Sequence, residues 1–169
     1  MPEPFVHLHC HTDRSFLDGV GRSAEYVELA AKHGQTALAI TDHGNLHGLP
    51  EHRRACKEAD IKPIYGCEMY VVEDRERAKE VVTKARGEKL DKSMIDPTYT
   101  DSHLVVLCAN ATGWRNMLAL NHDAVLNGYF YKPRTTHDMV MQHAEGLIAT
   151  TACLGSQFAA HFRRNDEKA

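Results

Sequence analysis

The 169-residue sequence lacks the features that mark membrane and secreted proteins. It contains no apolar run close to the roughly 18 residues that a membrane-spanning helix needs. Its first residues lack both the basic and the apolar region of a secretory signal, and internal repeats and low-complexity segments are also missing. We therefore expect a cytoplasmic protein that does not interact with membranes.

Paired cysteines and an excess of basic charge are also missing. The five cysteines form an odd set without a Cys-x-x-Cys pair, so free thiols or metal ligands are expected instead of a disulfide scaffold. Lys and Arg number 20 against 23 Asp and Glu, which leaves no overall basic field to attract nucleic acid. Any nucleic acid must be held locally or by other parts of a larger protein.

Histidine is the residue present in excess, with 12 copies against 6 prolines. It is the commonest side-chain metal ligand, so its abundance directs attention to a metal site. The length of the chain and its 43% hydrophobic content fit one globular domain with its own core.

Short apolar runs alternate with helical stretches, which predicts an α/β fold of β-α-β-α-β order with a mostly parallel sheet or barrel. Strands are predicted at residues 5–9, 36–40, 62–65, 68–72, 103–108 and 146–151, and helices at 23–34, up to 59, and 113–126. The first helix should bury Val27, Ala30 and Ala31, and the last has apolar positions at Leu118 and Val125. A stretch of mixed charge, about residues 73–102, is predicted to be an exposed insertion.

The segment from His7 to His11 places three imidazoles at a period of two, on one face of a predicted strand. About 0.8 His-x-His pairs are expected by chance in such a histidine-rich chain, so the motif alone also fits an ordinary strand. Its position adds weight, because Asp42 and His43 also follow a strand. Parallel α/β folds assemble their sites at that edge.

Further candidate ligands lie beside three other strands. Glu68 lies near the start of an extended segment, His103 opens a strand, and Cys153 follows one. These residue types bind zinc, manganese or iron, so a cluster of two or three ions is expected. For either residue alone an alternative stays open, in which His103 is a hydrogen-bonded sheet histidine and Cys153 a small buried hydrophobe.

Six motifs closely resemble the PHP (polymerase and histidinol phosphatase) domain that opens bacterial DNA polymerase III alpha subunits. In chain order they are HLHCHTDRSFLDG, AITDHGNLHG, KPIYGCEMYV, HLVVLCAN, GYFYKPR and GLIATTACLGS. The resemblance spans nearly the whole chain, residues 1–169, and GYFYKPR and ACLGS favour the polymerase branch over free-standing phosphatases. It implies a distorted (β/α)7 TIM-like barrel with a trinuclear metal centre at the carboxyl ends of its strands.

The resemblance implies seven metal ligands: His9, His11, Asp18, His43, Glu68, His103 and Cys153. Of these, His11, Asp18 and Glu68 are also assigned to catalysis. His7 is left out because the family often has a histidine there that is not a ligand, and Asp42 is expected to orient a ligand imidazole. The family's last Asp-x-His motif is not found beyond Cys153, so a partial PHP domain, incomplete at its C-terminus, is expected.

The implied function is metal-dependent hydrolysis of DNA phosphodiesters at a primer 3′ end, a 3′→5′ exonuclease serving proofreading. The expected cofactors are two or three divalent ions (Zn, Mn or Fe), and the expected partners are DNA, the rest of the alpha subunit and other replisome subunits. Two alternatives stay open: an inactive platform that docks the polymerase or a separate exonuclease, and a small-molecule phosphatase. Lys132 and Arg134 are interpreted as solvated surface in preference to phosphate contacts.

Overall fold

The computed structural model describes residues 5–88 and 101–163. Within these ranges the elements are α1 (Ser23–Lys32), β1 (Ala37–Ile40), α2 (Leu49–Glu58), β2 (Lys62–Val72), α3 (Arg75–Glu88), β3 (Ser102–Cys108), α4 (Ala111–Leu126), β4 (Tyr129–Phe130), β5 (Lys132–Thr136), α5 (His137–Gln142), β6 (Leu147–Thr150) and α6 (Gln157–Arg163). The expected α/β fold is confirmed. None of the helices in the described ranges is both long enough and apolar enough to cross a membrane.

The sheet is mixed, so the expectation of mostly parallel strands was wrong. β1 and β5 both pair in parallel with β2, but β3 pairs with β2 in the antiparallel direction. β6 is antiparallel to β3, and β4 is antiparallel to β5. After β2 the helix α3 packs near β5, and the chain re-enters the sheet at the end where β2 stops. The described strands run in the order β4-β5-β2-β3-β6, with β1 also on β2, and do not by themselves close a barrel.

The predicted strand at residues 5–9 is an extended segment that is not a regular strand. It lies beside β1, because the N–H groups of Ala39 and Thr41 donate to the carbonyls of His7 and Cys10 at 2.9 and 2.8 Å. The N–H of Cys10 donates to the hydroxyl of Thr41 at 3.1 Å instead of to a backbone carbonyl. The backbone acceptors His7 and Cys10 are three residues apart whereas the donors Ala39 and Thr41 are two apart, so the ladder is irregular here, and the hydrophobic pattern of the sequence gave no sign of it.

The two extended segments predicted at residues 62–65 and 68–72 are one continuous strand, β2. Gly66 lies in its middle, where a β-carbon would come within 2.6 Å of the Leu107 side chain and 2.8 Å of the Thr41 methyl group. The glycine therefore permits close packing and does not end the strand.

The core lies mainly on one side of the sheet. Cys67, Met69, Val71, Val106, Met117 and Leu120 pack β2 and β3 against α4, and a second cluster of Val27, Ala30, Leu38, Cys56 and Ile61 joins α1, β1 and α2. Burial of Val27 and Ala30 is as predicted, whereas Leu118 and Val125 are 43% and 45% exposed. Met117 and Ala124 have the same seven-residue spacing, so periodicity could not decide which pair faces the core.

The charged stretch contains the helix α3, in which Ala78 is fully buried. The helix therefore packs one side against the domain and is not exposed all round. Residues 89–100 of the predicted insertion lie outside the described residues, and Ser102 already belongs to β3. The insertion as a unit remains a prediction.

In the second half of β2 the two faces of the strand differ, because one packs into the core and the other carries polar side chains. Because side chains alternate along a strand, Glu68 and Tyr70 face away from the cluster that contains Cys67 and Met69. The face of β2 that carries Glu68 holds the candidate site.

All five cysteines are free, as expected from their spacing.

His52 of α2 gives the fold a predicted dependence on pH. The ring is fully buried, with Nε2 2.9 Å from the Leu38 carbonyl oxygen and Nδ1 3.0 Å from the Ser23 hydroxyl. Burial lowers its pKa, against smaller opposing effects of the Leu38 bond and the charge of Asp42. The folded protein therefore keeps His52 neutral at a pH where the unfolded chain, with a pKa of about 6.5, takes up a proton.

We expect the free energy of unfolding to fall as the pH drops below about 6.5, because only the unfolded state gains this proton. Urea denaturation between neutral and mildly acidic pH measures the effect. A His52→Gln variant should show a flatter pH profile, whereas His122→Gln, a change at an exposed ring of α4, should keep the wild-type slope. Parallel profiles for the wild type and His52→Gln would contradict the assignment.

Candidate metal centre

The side chain of Glu68 is the centre of the site and is 1% exposed. One of its oxygens, Oε2, lies 2.8 Å from His9 Nε2 and 2.7 Å from His11 Nε2. The other, Oε1, lies 2.8 Å from His103 Nδ1 and 3.3 Å from Cys153 Sγ. Four groups from three separate parts of the chain thus meet at one buried carboxyl group.

The remaining candidates adjoin this cluster. His43 Nδ1 lies 3.6 Å from Glu68 Oε2, and its Nε2 lies 3.0 Å from Asp18 Oδ2. Asp18 Oδ2 is also 3.8 Å from His11 Nε2. The structure therefore brings all seven residues named from the sequence into one site. His7, which the sequence argument left out, is exposed and its ring packs edge-on against Phe5.

The mixed sheet explains how these residues meet. β1 is parallel to β2, and its extension places His43 in a bridge beside Glu68. β3 runs the opposite way, so its first residues lie next to the last residues of β2, with His103 opposite Tyr70. β6 is antiparallel to β3 and therefore delivers the following loop, with Cys153, to the same edge.

Asp42, which was expected to orient a ligand imidazole, contacts the site through a hydroxyl group and does not touch an imidazole itself. Its buried carboxylate accepts bonds from the Thr12 N–H at 2.7 Å, the Thr12 hydroxyl at 2.8 Å and the Ser15 hydroxyl at 2.8 Å. Ser15 Oγ in turn lies 2.9 Å from His11 Nδ1 and accepts the His43 N–H at 3.0 Å.

This network fixes which nitrogen of His11 is available. A carboxylate only accepts hydrogen bonds, so the single hydroxyl proton of Ser15 points to Asp42. Ser15 must then accept the Nδ1–H of His11, which leaves Nε2 facing Glu68. The protonated ring donates its Nε2–H to that carboxylate, whereas the neutral ring has the Nε2 lone pair available for a metal ion. Histidines that bind metal typically donate the other ring N–H to a supporting group in this way.

Electrostatics in the site are set by Glu68. Burial alone would raise its pKa, but bonds from His103, His11 and His9 outweigh burial and hold the pKa of Glu68 far below its usual range. Burial opposes protonation of His11 as well, yet the bond and charge of Glu68 raise its pKa overall. At His43, burial and the neighbouring His11 lower the pKa. The centre thus has an ionised carboxylate that requires positive charge around it.

The donor set fits divalent ions. Three groups, His9 with His11 and Glu68, His11 with Asp18 and His43, and His43 with Glu68 and His103, each place their ligand atoms within 4.8 Å of one another. His43 Nδ1 is buried and has no hydrogen-bond partner among the described residues. Mixed imidazole, carboxylate and thiolate sets suit zinc, manganese or iron.

Sequence reasoning missed the role of three residues around the site: Ser15, Tyr70 and Gly155. The Tyr70 ring stacks on His43 with centroids 5.6 Å apart and meets His103 edge-on at 5.3 Å. Its position two residues after Glu68 in a strand was a usable signal, because both side chains must face the same way. Ser15 had no comparable signal.

Gly155 gives a physical reason for the glycine of the ACLGS motif. A β-carbon at this position would lie 3.0 Å from His103 Nδ1 and 3.2 Å from its Cγ. The backbone also holds the site, because the Gly155 carbonyl accepts the His103 N–H at 3.1 Å and the Gly155 N–H donates to Cys153 Sγ at 3.3 Å. A side chain here would displace the His103 ring or the loop.

We expect Gly155→Ala to lower metal affinity by about tenfold to a hundredfold, because it moves His103 and Cys153 relative to Glu68. Titration of the metal-stripped protein with Zn²⁺ or Mn²⁺ measures the change. Gly87→Ala is the matched control, since a β-carbon there meets no atom within 4 Å. Equal affinities for the two variants would show that the close contact does not position His103.

The interpretation of Arg134 as solvated surface was wrong. Its side chain is 2% exposed and is paired with Asp101, and it donates to the carbonyls of Phe130 and Lys132. Long basic side chains are rarely buried unless they are paired, and here the acid lies 33 positions away in the sequence. Lys132 is 43% exposed and also contacts Asp101, at 3.5 Å.

The sequence profile of the family described as PHP domain matches residues 7–169. The chain belongs to the PHP domain family. This PHP domain is 40% identical over 153 residues to DNA polymerase III subunit alpha of Treponema pallidum, covering 90% of this chain and 12% of that protein. It is 36% identical over 163 residues to the Chlamydia trachomatis subunit, covering 96% of this chain and 12% of that protein.

The PHP domain therefore spans about an eighth of the length of these relatives. Among solved structures, a candidate metal-dependent phosphoesterase from Bifidobacterium adolescentis aligns over 73% of this chain and 34% of its own, at 21% identity and a TM-score of 0.47. That likeness is distant, and the family assignment is independent of it. The resemblance inferred from the six motifs is confirmed.

Proposed function

We propose that this PHP domain is a metal-dependent phosphoesterase that hydrolyses DNA phosphodiesters from a 3′ end, within a DNA polymerase III alpha subunit. One observation carries the proposal: a buried carboxylate, Glu68, is surrounded by imidazole, carboxylate and thiol groups at ligand-like distances. The names of the curated relatives supply the DNA context. The complete domain in this proposal is a distorted (β/α)7 barrel.

Two or three divalent ions are proposed to be held by the seven residues of the site: His9, His11, Asp18, His43, Glu68, His103 and Cys153. Such ions supply Lewis acidity, which acidifies water and neutralises the negative charge of a phosphodiester. Glu68 serves as the shared anionic ligand, and the Ser15 and Asp42 network holds His11 in the orientation that exposes its Nε2. Zn, Mn and Fe all suit this donor set.

The two faces of the cluster are proposed to differ in role. Glu68 is buried at the inner side of the site, whereas the Asp18 side chain is 53% exposed and Cys153 is exposed as well. A phosphodiester can reach the exposed side without any opening of the core. His11, Asp18 and Glu68 are proposed to contribute most to catalysis, because His11 contacts both the buried Glu68 and the exposed Asp18.

A second candidate function is a docking platform for another part of the polymerase. It is favoured by the loop that carries Asp18, in which Phe16, Leu17 and Val20 are 87%, 93% and 91% exposed. Leu154, next to Cys153, is 74% exposed. Contiguous exposed apolar groups of this kind mark interaction sites. Docking and hydrolysis are not exclusive, since the apolar groups flank the cluster and do not fill it.

Metal analysis and nucleotide release test the proposal together. The purified protein should contain divalent metal and, with Mn²⁺ or Zn²⁺, should release mononucleotides from the 3′ end of a 5′-labelled DNA strand. Chelation, His11→Ala and Asp18→Ala should each abolish the release while the circular dichroism spectrum is retained. Metal-free, inactive protein would leave the docking function as the better explanation. Hydrolysis of p-nitrophenyl phosphate without DNA cleavage would indicate a small-molecule phosphatase.

A further inference from the structure

The hairpin of β4 and β5 has an unusual tip. Phe130 pairs with Lys132, so Tyr131 alone connects the two strands. Its φ is +60°, in the left-handed region that non-glycine residues rarely adopt, and its side chain is 58% exposed. Backbone strain of this kind persists only where the surrounding structure enforces it, and it is common in segments that bind ligands.

The surrounding structure that enforces it is the buried Arg134. Its guanidinium donates to the carbonyl oxygens of Phe130 and, at 3.3 Å, Lys132, the two residues that flank Tyr131. Arg134 is itself held by Asp101. A buried charged group therefore fixes the tip from inside and leaves the Tyr131 ring on the surface in a defined position.

A row of basic and aromatic side chains leads from this tip to the metal centre. The Lys132 Nζ lies 4.3 Å from the centroid of the Tyr70 ring, which contacts both His43 and His103. On the other side, the Arg86 guanidinium lies 3.9 Å from the centroid of the Tyr131 ring. The row is thus Arg86, Tyr131, Lys132 and Tyr70, ending at two candidate ligands.

We propose that this row, Arg86, Tyr131, Lys132 and Tyr70, binds single-stranded DNA and directs its 3′ end to the metal centre. A nucleobase stacks on the exposed Tyr131 ring, and Lys132 and Arg86 contact the flanking phosphates. This inference rests on the proposed function and names the surface that presents the substrate. Aromatic rings alternating with basic groups are how proteins hold single strands without reading their sequence.

The local positive charge also favours DNA as the partner of this row. The basic side chains of the row that reach solvent are Arg86 and Lys132, and the buried Arg134 beneath the tip is paired with Asp101, which Lys132 also contacts. The chain as a whole has a formal charge of −3, so this basic row differs in sign from the average of the molecule. Local positive charge of this kind is what a chain without an overall basic field needs to hold a phosphate backbone.

Binding is measured by fluorescence anisotropy with a 5′-fluorescein 12-mer of oligothymidine, at low salt and with EDTA present so that no strand is cleaved. We expect a Kd on the order of 10 μM. Tyr131→Gly should weaken binding about tenfold without loss of stability, because glycine relieves the positive φ while the ring is removed. Tyr131→Phe should bind like the wild type, since it keeps the stacking surface.

Lys132→Gln should weaken binding and reduce the slope of log Kd against log salt concentration by about 0.7, the value for one phosphate contact. Lys57→Gln, at an exposed position in the last turn of α2, is the control and should change neither quantity. No measurable binding by the wild type, or equal binding by wild type and Tyr131→Gly, would overturn the inference. Because EDTA removes the metals, such a failure differs from a failure of metal binding or hydrolysis.

Discussion

Glu68→Gln is expected to lower metal affinity by more than about a hundredfold, because supporting residues outside the ligand shell already contribute about 10- to 100-fold. Glutamine keeps the shape of the side chain but removes the negative charge at the centre of the cluster. It also points an amide N–H₂ group at either the His9 and His11 nitrogens or the His103 and Cys153 pair. Two of the three candidate ligand groups would lose their only carboxylate, whereas the group of His11, Asp18 and His43 would keep Asp18.

The measurement is metal content after dialysis, together with calorimetric titration of the stripped protein with Zn²⁺ and Mn²⁺. Glu145→Gln, which makes the same chemical change at an exposed position, should bind metal like the wild type. A folded Glu68→Gln protein with unchanged metal content and affinity would show that Glu68 does not hold the metal. Loss of metal only in Glu68→Gln supports the assignment.

The residues of the site could be predicted because their types are chemically distinctive and because each lies near a recognisable strand. Five of the six motifs carried the ligand positions, and the structure brings the seven residues together in one site centred on Glu68. The path by which they meet could not be predicted. His103 opens its strand, so in a parallel sheet it would lie at the opposite edge from His43.

The antiparallel direction of β3 removes this conflict by pairing His103 with Tyr70. Strand direction depends on where the long connection between β2 and β3 returns to the sheet. A buried strand shows the same run of apolar residues whichever way it points, so the pattern carries no sign of direction. The same limit explains why a mostly parallel sheet was expected.

Buried polar side chains were the second class that the sequence did not reveal. Ser15 and Arg134 are of types that usually lie on the surface. Each is buried because a distant carboxylate accepts its hydrogen bonds: Asp42, 27 positions from Ser15, and Asp101, 33 positions from Arg134. Partners so far apart are brought together only by the tertiary fold.

Asp42→Ala is expected to destabilise the fold by about 3 kcal/mol. The Thr12 N–H and the hydroxyls of Thr12 and Ser15, all on fully buried residues, would lose their acceptor. Ser15→Ala should cost less, about 1 kcal/mol, because the Asp42 carboxylate keeps two of its three bonds. Denaturant unfolding of the metal-free proteins measures both changes.

Metal affinity should rank the same variants differently. Ser15→Ala removes the acceptor of the His11 Nδ1–H and of the His43 N–H, so it should lower affinity by about tenfold to a hundredfold. Asp42 reaches the imidazoles only through Ser15 among the described contacts. In a Ser15→Ala background, Asp42→Ala should therefore lower stability further but leave metal affinity unchanged.

Ser23→Ala is the matched control, because this buried serine bonds to His52, remote from Glu68. It should lose stability to an extent similar to Ser15→Ala while binding metal normally. Additive losses of affinity for Ser15→Ala and Asp42→Ala would mean that Asp42 acts on the metal site by its charge and not through the hydroxyl. If Asp42→Ala lowers metal affinity no further once Ser15 is replaced, Ser15 is the group that sets the His11 tautomer. The two residues would then act on His11 through the same hydroxyl group.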